Sequence, residues 1–218
     1  MENPNALKNP GTRRILPIAC ITALAVAFTA AAARPAHADR VIAPRVPANL
    51  QVSAANKVFL EGHATGTQDY VCLPSGGSFA WTFFGPQATL VDDDRKQIIT
   101  HFLSPNPFEG GTPRATWQHS RDTSVVWGST IQTSTDSNFV RPGAIPWLLL
   151  QVVGGHDGPD HGDKLTAATF IQRVHTMGGV APSSGCAASA DVGKKILVPY
   201  KADYFFYKDR DRDGHDDN

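Results

Sequence analysis

The sequence predicts an all-β, mainly antiparallel fold: a single-domain barrel or sandwich closed by one disulfide. Three observations carry that expectation. Short apolar runs with a two-residue alternation recur along the chain. Turn residues punctuate them, with 19 Gly and 16 Pro in the chain and breakers such as Pro74-Ser75-Gly76-Gly77, Gly85-Pro86, Asn106-Pro107, Gly110-Gly111 and Gly178-Gly179 between runs. Beyond residue 38, no long stretch keeps a helical period.

Residues 1–38 read as a cleaved signal peptide. Lys8, Arg13 and Arg14 precede an apolar stretch from Ile15 to Ala33, and Ala36-His37-Ala38 forms a small-x-small cleavage site before Asp39. Thr12-Arg13-Arg14-Ile15-Leu16 resembles a twin-arginine opening, although Pro17 and Ile18 depart from the fuller pattern. A lipoprotein reading of Cys20 fails because Pro17 does not suit a lipobox and the apolar run continues past the cysteine. The expected location is therefore secreted or periplasmic.

Residues 39–56 form a Pro- and Ala-rich extended lead-in, 57–207 the β-rich domain, and 208–218 a disordered acidic tail. Strands are expected at Lys57–His63, Gly66–Leu73, Ser78–Phe84, Ala88–Asp92, Ile98–Leu103, Arg114–His119, Ser124–Gln132, Trp147–Val153, Thr166–His175 and Ile196–Tyr207. The apolar run from Ala144 to Val153 is too short for a membrane span, so none is expected after signal cleavage.

The chain carries 20 Lys+Arg and 20 Asp+Glu. Removing Lys8, Arg13, Arg14, Arg34 and Glu2 with the leader leaves 16 basic and 19 acidic residues, a net charge of −3. No basic patch suits a phosphate backbone, so nucleic acid is not an expected partner. Cys72 and Cys186 remain, and in an oxidising compartment such a pair is most simply a disulfide. Closing a loop of 114 residues stabilises a fold by roughly 4–5 kcal/mol at most in the chain-entropy model.

Alternation then orients side chains. If Cys72 points inward, Gln68 and Tyr70 do too. Val198, Tyr200, Ala202, Tyr204 and Phe206 make one apolar face of the last strand. Gln172 and Arg173 fall on opposite faces of the strand before it. The plain explanation is a solvated Arg173 and a Gln172 bonded to nearby backbone; the sharper one is a polar group lining a barrel mouth.

No nucleophile elbow, zinc helix, dinucleotide fingerprint or phosphate loop is present. Ser183-Ser184-Gly185 reads as a turn, and Asp92-Asp93-Asp94 as a solvated hairpin tip. No cofactor is expected from the sequence; the one alternative is a divalent metal, which two segments could hold. One is the Gly-rich loop bearing His156 and His161. The other is Asp209, Asp211 and Asp213 before Gly214, which copies the opening of a calcium loop but ends before its bidentate carboxylate.

Several pieces in order carry a family likeness: Gly66-Thr67-Gln68-Asp69-Tyr70-Val71-Cys72, Trp81, Pro86-Gln87-Ala88-Thr89-Leu90, His101-Phe102, Ala115-Thr116-Trp117 and Asp122-Thr123-Ser124-Val125-Val126-Trp127-Gly128. The strongest follow: Ala144-Ile145-Pro146-Trp147-Leu148-Leu149, the run from Ile171 to Pro182, Gly185-Cys186, and the run from Val198 to Tyr207. Together, over roughly Ala48 to Tyr207, they resemble the secreted family called domain of unknown function 3455. The resemblance implies one β-rich domain behind a signal peptide and no particular activity. Some members are labelled malate dehydrogenase, and this chain lacks the nucleotide fingerprint that label requires. It departs from the pattern at Lys96-Gln97, in the His-rich loop and in the acidic tail.

The resulting expectation is an exported, non-enzymatic β-domain that binds a small molecule or a cell-envelope component. Its candidate site residues are Gln68, His101, Trp117, Asp122, Gln172 and Arg173. The alternatives are a hydrolase using Asp122 or His101 as acid or base, and metal handling through His156 and His161.

Overall fold

In a computed structural model, described over residues 41–211, eight antiparallel strands follow in chain order and the last pairs with the first. They are β1 (Asn56–Ser75), β2 (Ser78–Val91), β3 (Gln97–Asn106), β4 (Thr112–His119), β5 (Val125–Ser134), β6 (Trp147–His156), β7 (Ala168–Gly178) and β8 (Lys195–Asp209). The fold is thus all-β, and of the two expected architectures it is the closed barrel. The signal-peptide reading falls on residues outside those described, as does the tail from residue 212. No helix among the described residues is long and apolar enough to cross a membrane.

Ten expected strands become eight because two apparent breaks are bends. Gly66 sits inside β1, where an added Cβ would lie 2.0 Å from the Gln87 carbonyl oxygen and 2.5 Å from Ala88 Cα. The glycine therefore lets β2 approach; it does not end a strand. In β2, Asp69 faces Gly85 while Tyr70 faces Phe83, which makes Phe84 the extra residue of a bulge beside Gly85-Pro86. A bulge bends and twists a strand without terminating it, and proline is tolerated where ladder pairing is already interrupted.

Cys72 and Cys186 are bonded, with Cα atoms 5.5 Å apart. The bridge ties β1 to the β7–β8 connection, and the Cys72 amide and carbonyl also pair with Lys194 and Gly193.

The sheet is covered on both faces. Inside, Leu90, Ile99, Trp117, Val126, Ile171 and Phe206 pack together in the barrel core. The expected inner face of β8 is correct, since Tyr200, Ala202, Tyr204 and Phe206 are buried. The C-terminal half of its opposite face is buried as well, at Phe205 and Tyr207, which alternation alone does not predict. Phe205 and Tyr207 join Leu149, Val174, Trp147 and Val140 in an outer belt. The lead-in covers that belt: a 3-10 turn at Ala48–Leu50 inserts Leu50, which is fully buried. At the other end β8 continues to Asp209, and Arg210 bonds the Ala54 and Ala55 carbonyls.

Candidate functional site

Alternation in an eight-stranded barrel sends every second side chain into a lumen just wide enough to be filled. Around the barrel core it is filled. Beside it the inward positions become small or polar: Ala115 on β4, Gly128 and Thr130 on β5, Arg173 on β7. They leave a cavity of about 320 Å³ lined by His101, Trp117, Arg173 and Tyr204 together with Phe83, Leu103 and Leu148. That volume is at the lower end of the range for small-molecule sites, about 300–1,000 Å³.

His101 and Trp117 are paired across β3 and β4 and stack with centroids 4.4 Å apart and planes 9° apart. Tyr204 presents its ring to both, at 5.1 Å and 5.8 Å. Gly128 makes the stack possible, because a Cβ there would lie 2.9 Å from Trp117 Cζ3. The His101 Nδ1–H is assigned as donor to the Thr116 carbonyl at 2.8 Å; that tautomer leaves Nε2 an acceptor. Burial, with the Arg173 charge nearby, pushes His101 down to about 3, so it is neutral at physiological pH and a poor general base.

Arg173 enters the lumen from β7 opposite Leu148 and Tyr204. Its Nη2 donates to the Pro146 carbonyl at 2.9 Å, and its buried Nε has no partner among the described residues. No carboxylate among the described residues lines the cavity; the other guanidinium there, that of Arg114, is engaged by Glu109 at 2.7 and 2.8 Å. Trp117 Nε1 and Gln68 Nε2 are likewise buried donors without partners. Gln68 lies along the same inner face, with its Cγ 3.1 Å from the position a Gly179 Cβ would take. Buried Tyr200 and Tyr204 share a hydroxyl contact of 3.3 Å. Burial raises both phenols, so they remain neutral.

The structure thus gathers Gln68, His101, Trp117 and Arg173 in the lumen. Gln172 lies elsewhere, in the outer belt, where its Nε2 donates to the Leu50 carbonyl and its Oε1 accepts from the Tyr207 hydroxyl, both at 2.6 Å. Asp122 also lies apart, in the β4–β5 turn. Its carboxylate accepts from Ser124 N and Oγ and from Lys164 N, and meets His119 at 2.8 Å. Although burial opposes it, these bonds hold Asp122 at about 2. The glycines of the His-rich loop serve that contact: an added Cβ at Gly162 would lie 2.3 Å from Asp122 Cβ. They allow the loop to close on the turn. His156 Nδ1 pairs locally with the Asp157 carbonyl at 2.7 Å. In the tail, Asp209 accepts the Asp211 amide, and Asp213 lies outside the described residues.

A second constellation escapes sequence reading. On the outer wall, β1 and β8 pair His63 with Asp203; His63 Nδ1 lies 2.7 Å from one Asp203 oxygen and His175 Nδ1 2.8 Å from the other. Asp93, expected to be only a solvated hairpin tip, meets His63 Nε2 at 3.0 Å. Burial lowers the His63 imidazole, but the bonds to Asp203 and Asp93 outweigh it and raise it to about 8. These residues lie up to 140 positions apart, so only strand register could have revealed them.

A family model described as "Protein of unknown function (DUF3455)" matches residues 53–208, from just before β1 to one residue short of the end of β8. No curated protein and no solved structure matches the chain. The matched span covers the barrel, its disulfide and both constellations, and the chain belongs to this family of proteins of unknown function.

Proposed function

We propose that the protein is an exported carrier or receptor domain whose barrel lumen binds a small molecule with an apolar body and an anionic group. The observation that carries this reading is the guanidinium of Arg173: it faces a cavity with aromatic and aliphatic walls and has no carboxylate partner. A guanidinium away from bulk water is costly unless paired, and a carboxylate matches its fork. The stacked His101–Trp117 floor offers a flat apolar surface. The disulfide agrees with an oxidising compartment.

The test is titration with 1-anilinonaphthalene-8-sulfonate, benzoate and hexanoate, each carboxylate against its amide. The anions should bind and displace one another; Arg173→Ala should abolish binding and Arg173→Lys weaken it. Equal binding of acids and amides, or unchanged binding by Arg173→Ala, rejects the reading.

A further inference from the structure

The outer wall of the barrel carries a group of side chains that the lumen does not use. Glu61, His63 and Asp203 each offer a ligand atom, and those atoms lie within 4.8 Å of one another. The fold sets this spacing. Glu61 and His63 are two residues apart on β1 and so share a face, and the β1–β8 ladder puts Asp203 directly opposite His63. β7 adds His175 through a register shift between Val174 and Met177. There His175 takes φ 50°, a left-handed conformation uncommon for a residue other than glycine. That shift aims its Nδ1 at the second oxygen of Asp203.

Acid outnumbers base in this group. Three carboxylates, Glu61, Asp93 and Asp203, surround two imidazoles, and the half-buried Glu61 carboxylate accepts no hydrogen bond among the described residues. Neutral imidazole with carboxylate is a donor set suited to zinc and its first-row neighbours.

We propose that Glu61, His63 and Asp203 bind one divalent transition-metal ion of the zinc class, with His175 holding the other Asp203 oxygen. Zinc bonds of about 2.0–2.2 Å at tetrahedral angles set neighbouring ligand atoms about 3.4 Å apart. The His63–Asp203 contact therefore opens from 2.7 Å by a side-chain adjustment, with no change in strand register. His175 then plays the orienting part that hydrogen-bonded partners of metal ligands commonly play. Of the group, His63, His175 and Asp203 line a cleft of about 940 Å³ that Arg45, Arg141 and Lys201 also line. Those cations suit an anion as the remaining ligand of the ion.

Isothermal titration of the untagged full chain with zinc chloride tests this, with metal content measured after dialysis. One equivalent should bind, with manganese weaker, following the usual divalent order. Glu61→Gln keeps the His63–Asp203–His175 bonds and should still fold, yet weaken zinc at least about tenfold; His63→Ala should do the same. The double variant His156→Ala, His161→Ala should bind as the parent does. The proposal fails if zinc does not bind, if Glu61→Gln and His63→Ala leave binding unchanged, or if binding is lost only in the loop variant.

Discussion

Gln172 and Arg173 are neighbours on β7, and alternation sends one to the outer belt and the other to the lumen. The outer residue is fully provided for: its amide bridges the Leu50 carbonyl and the Tyr207 hydroxyl. The inner one donates to the Pro146 carbonyl, also meets the Tyr204 hydroxyl, and has no counter-charge among the described residues. For the two faces as wholes the contrast is one of degree, since the belt's Trp147 also keeps a buried Nε1 without a partner among the described residues. In the belt, polar atoms serve to fasten the lead-in to the barrel. In the lumen, Gln68, Trp117 and Arg173 each keep a buried donor without a partner among the described residues. Buried polar groups are normally paired, and two of the exceptions, on Trp117 and Arg173, line one cavity, which makes the lumen the face more open to a partner.

Acidification should produce the largest effect, and it acts on the lumen. His101 is held at about 3 in the folded chain by burial, against about 6.5 when unfolded. The unfolded chain therefore binds the extra proton first, and stability present above pH 6.5 falls as pH drops toward 3, by about 1.4 kcal/mol per unit. Urea melts from pH 7 to 4 on the parent and on His101→Gln measure it; equal slopes would refute the assignment.

Truncating the stack comes next. Trp117→Ala empties space beside His101 and Phe206 and should cost about 3–5 kcal/mol, read from the urea midpoint. On the belt, Gln172→Ala leaves the Leu50 carbonyl and the Tyr207 hydroxyl unpaired, for which about 2–3 kcal/mol is expected. Arg173→Ala, one residue along, should change ligand-free stability by less than about 1 kcal/mol, since it removes a charge that has no counter-ion. If the two alanine variants prove equally destabilising, the contrast between the faces is lost.

Much of the lumen was legible because strand alternation is local. Gln68 followed from Cys72 four residues later, and the aromatic face of β8 followed from its own pattern. Arg173 is half-buried at the cavity, between the two explanations, because its exposure depends on how seven other strands surround it. Gln172 was correctly tied to backbone, but the carbonyl belongs to Leu50, 122 residues away. Asp122 looked like chemistry because it sits in a family motif, whereas its bonds to Ser124 and Lys164 make it a fastener between two loops. Gly66 and Gly85-Pro86 misled because a residue that permits close approach or a bulge has the same composition signal as a turn.

Closure of the barrel has a consequence for how the chain is made. β1, 20 residues long, finds one of its two partners only in β8, the last strand to be synthesised. Until then its outer edge carries unpaired amides and carbonyls, a template for misassembly with other chains. Pairing residues about 140 positions apart, as His63 with Asp203, also makes for high contact order and slow folding. A barrel of this topology gains by remaining unfolded until its C-terminal strand is free.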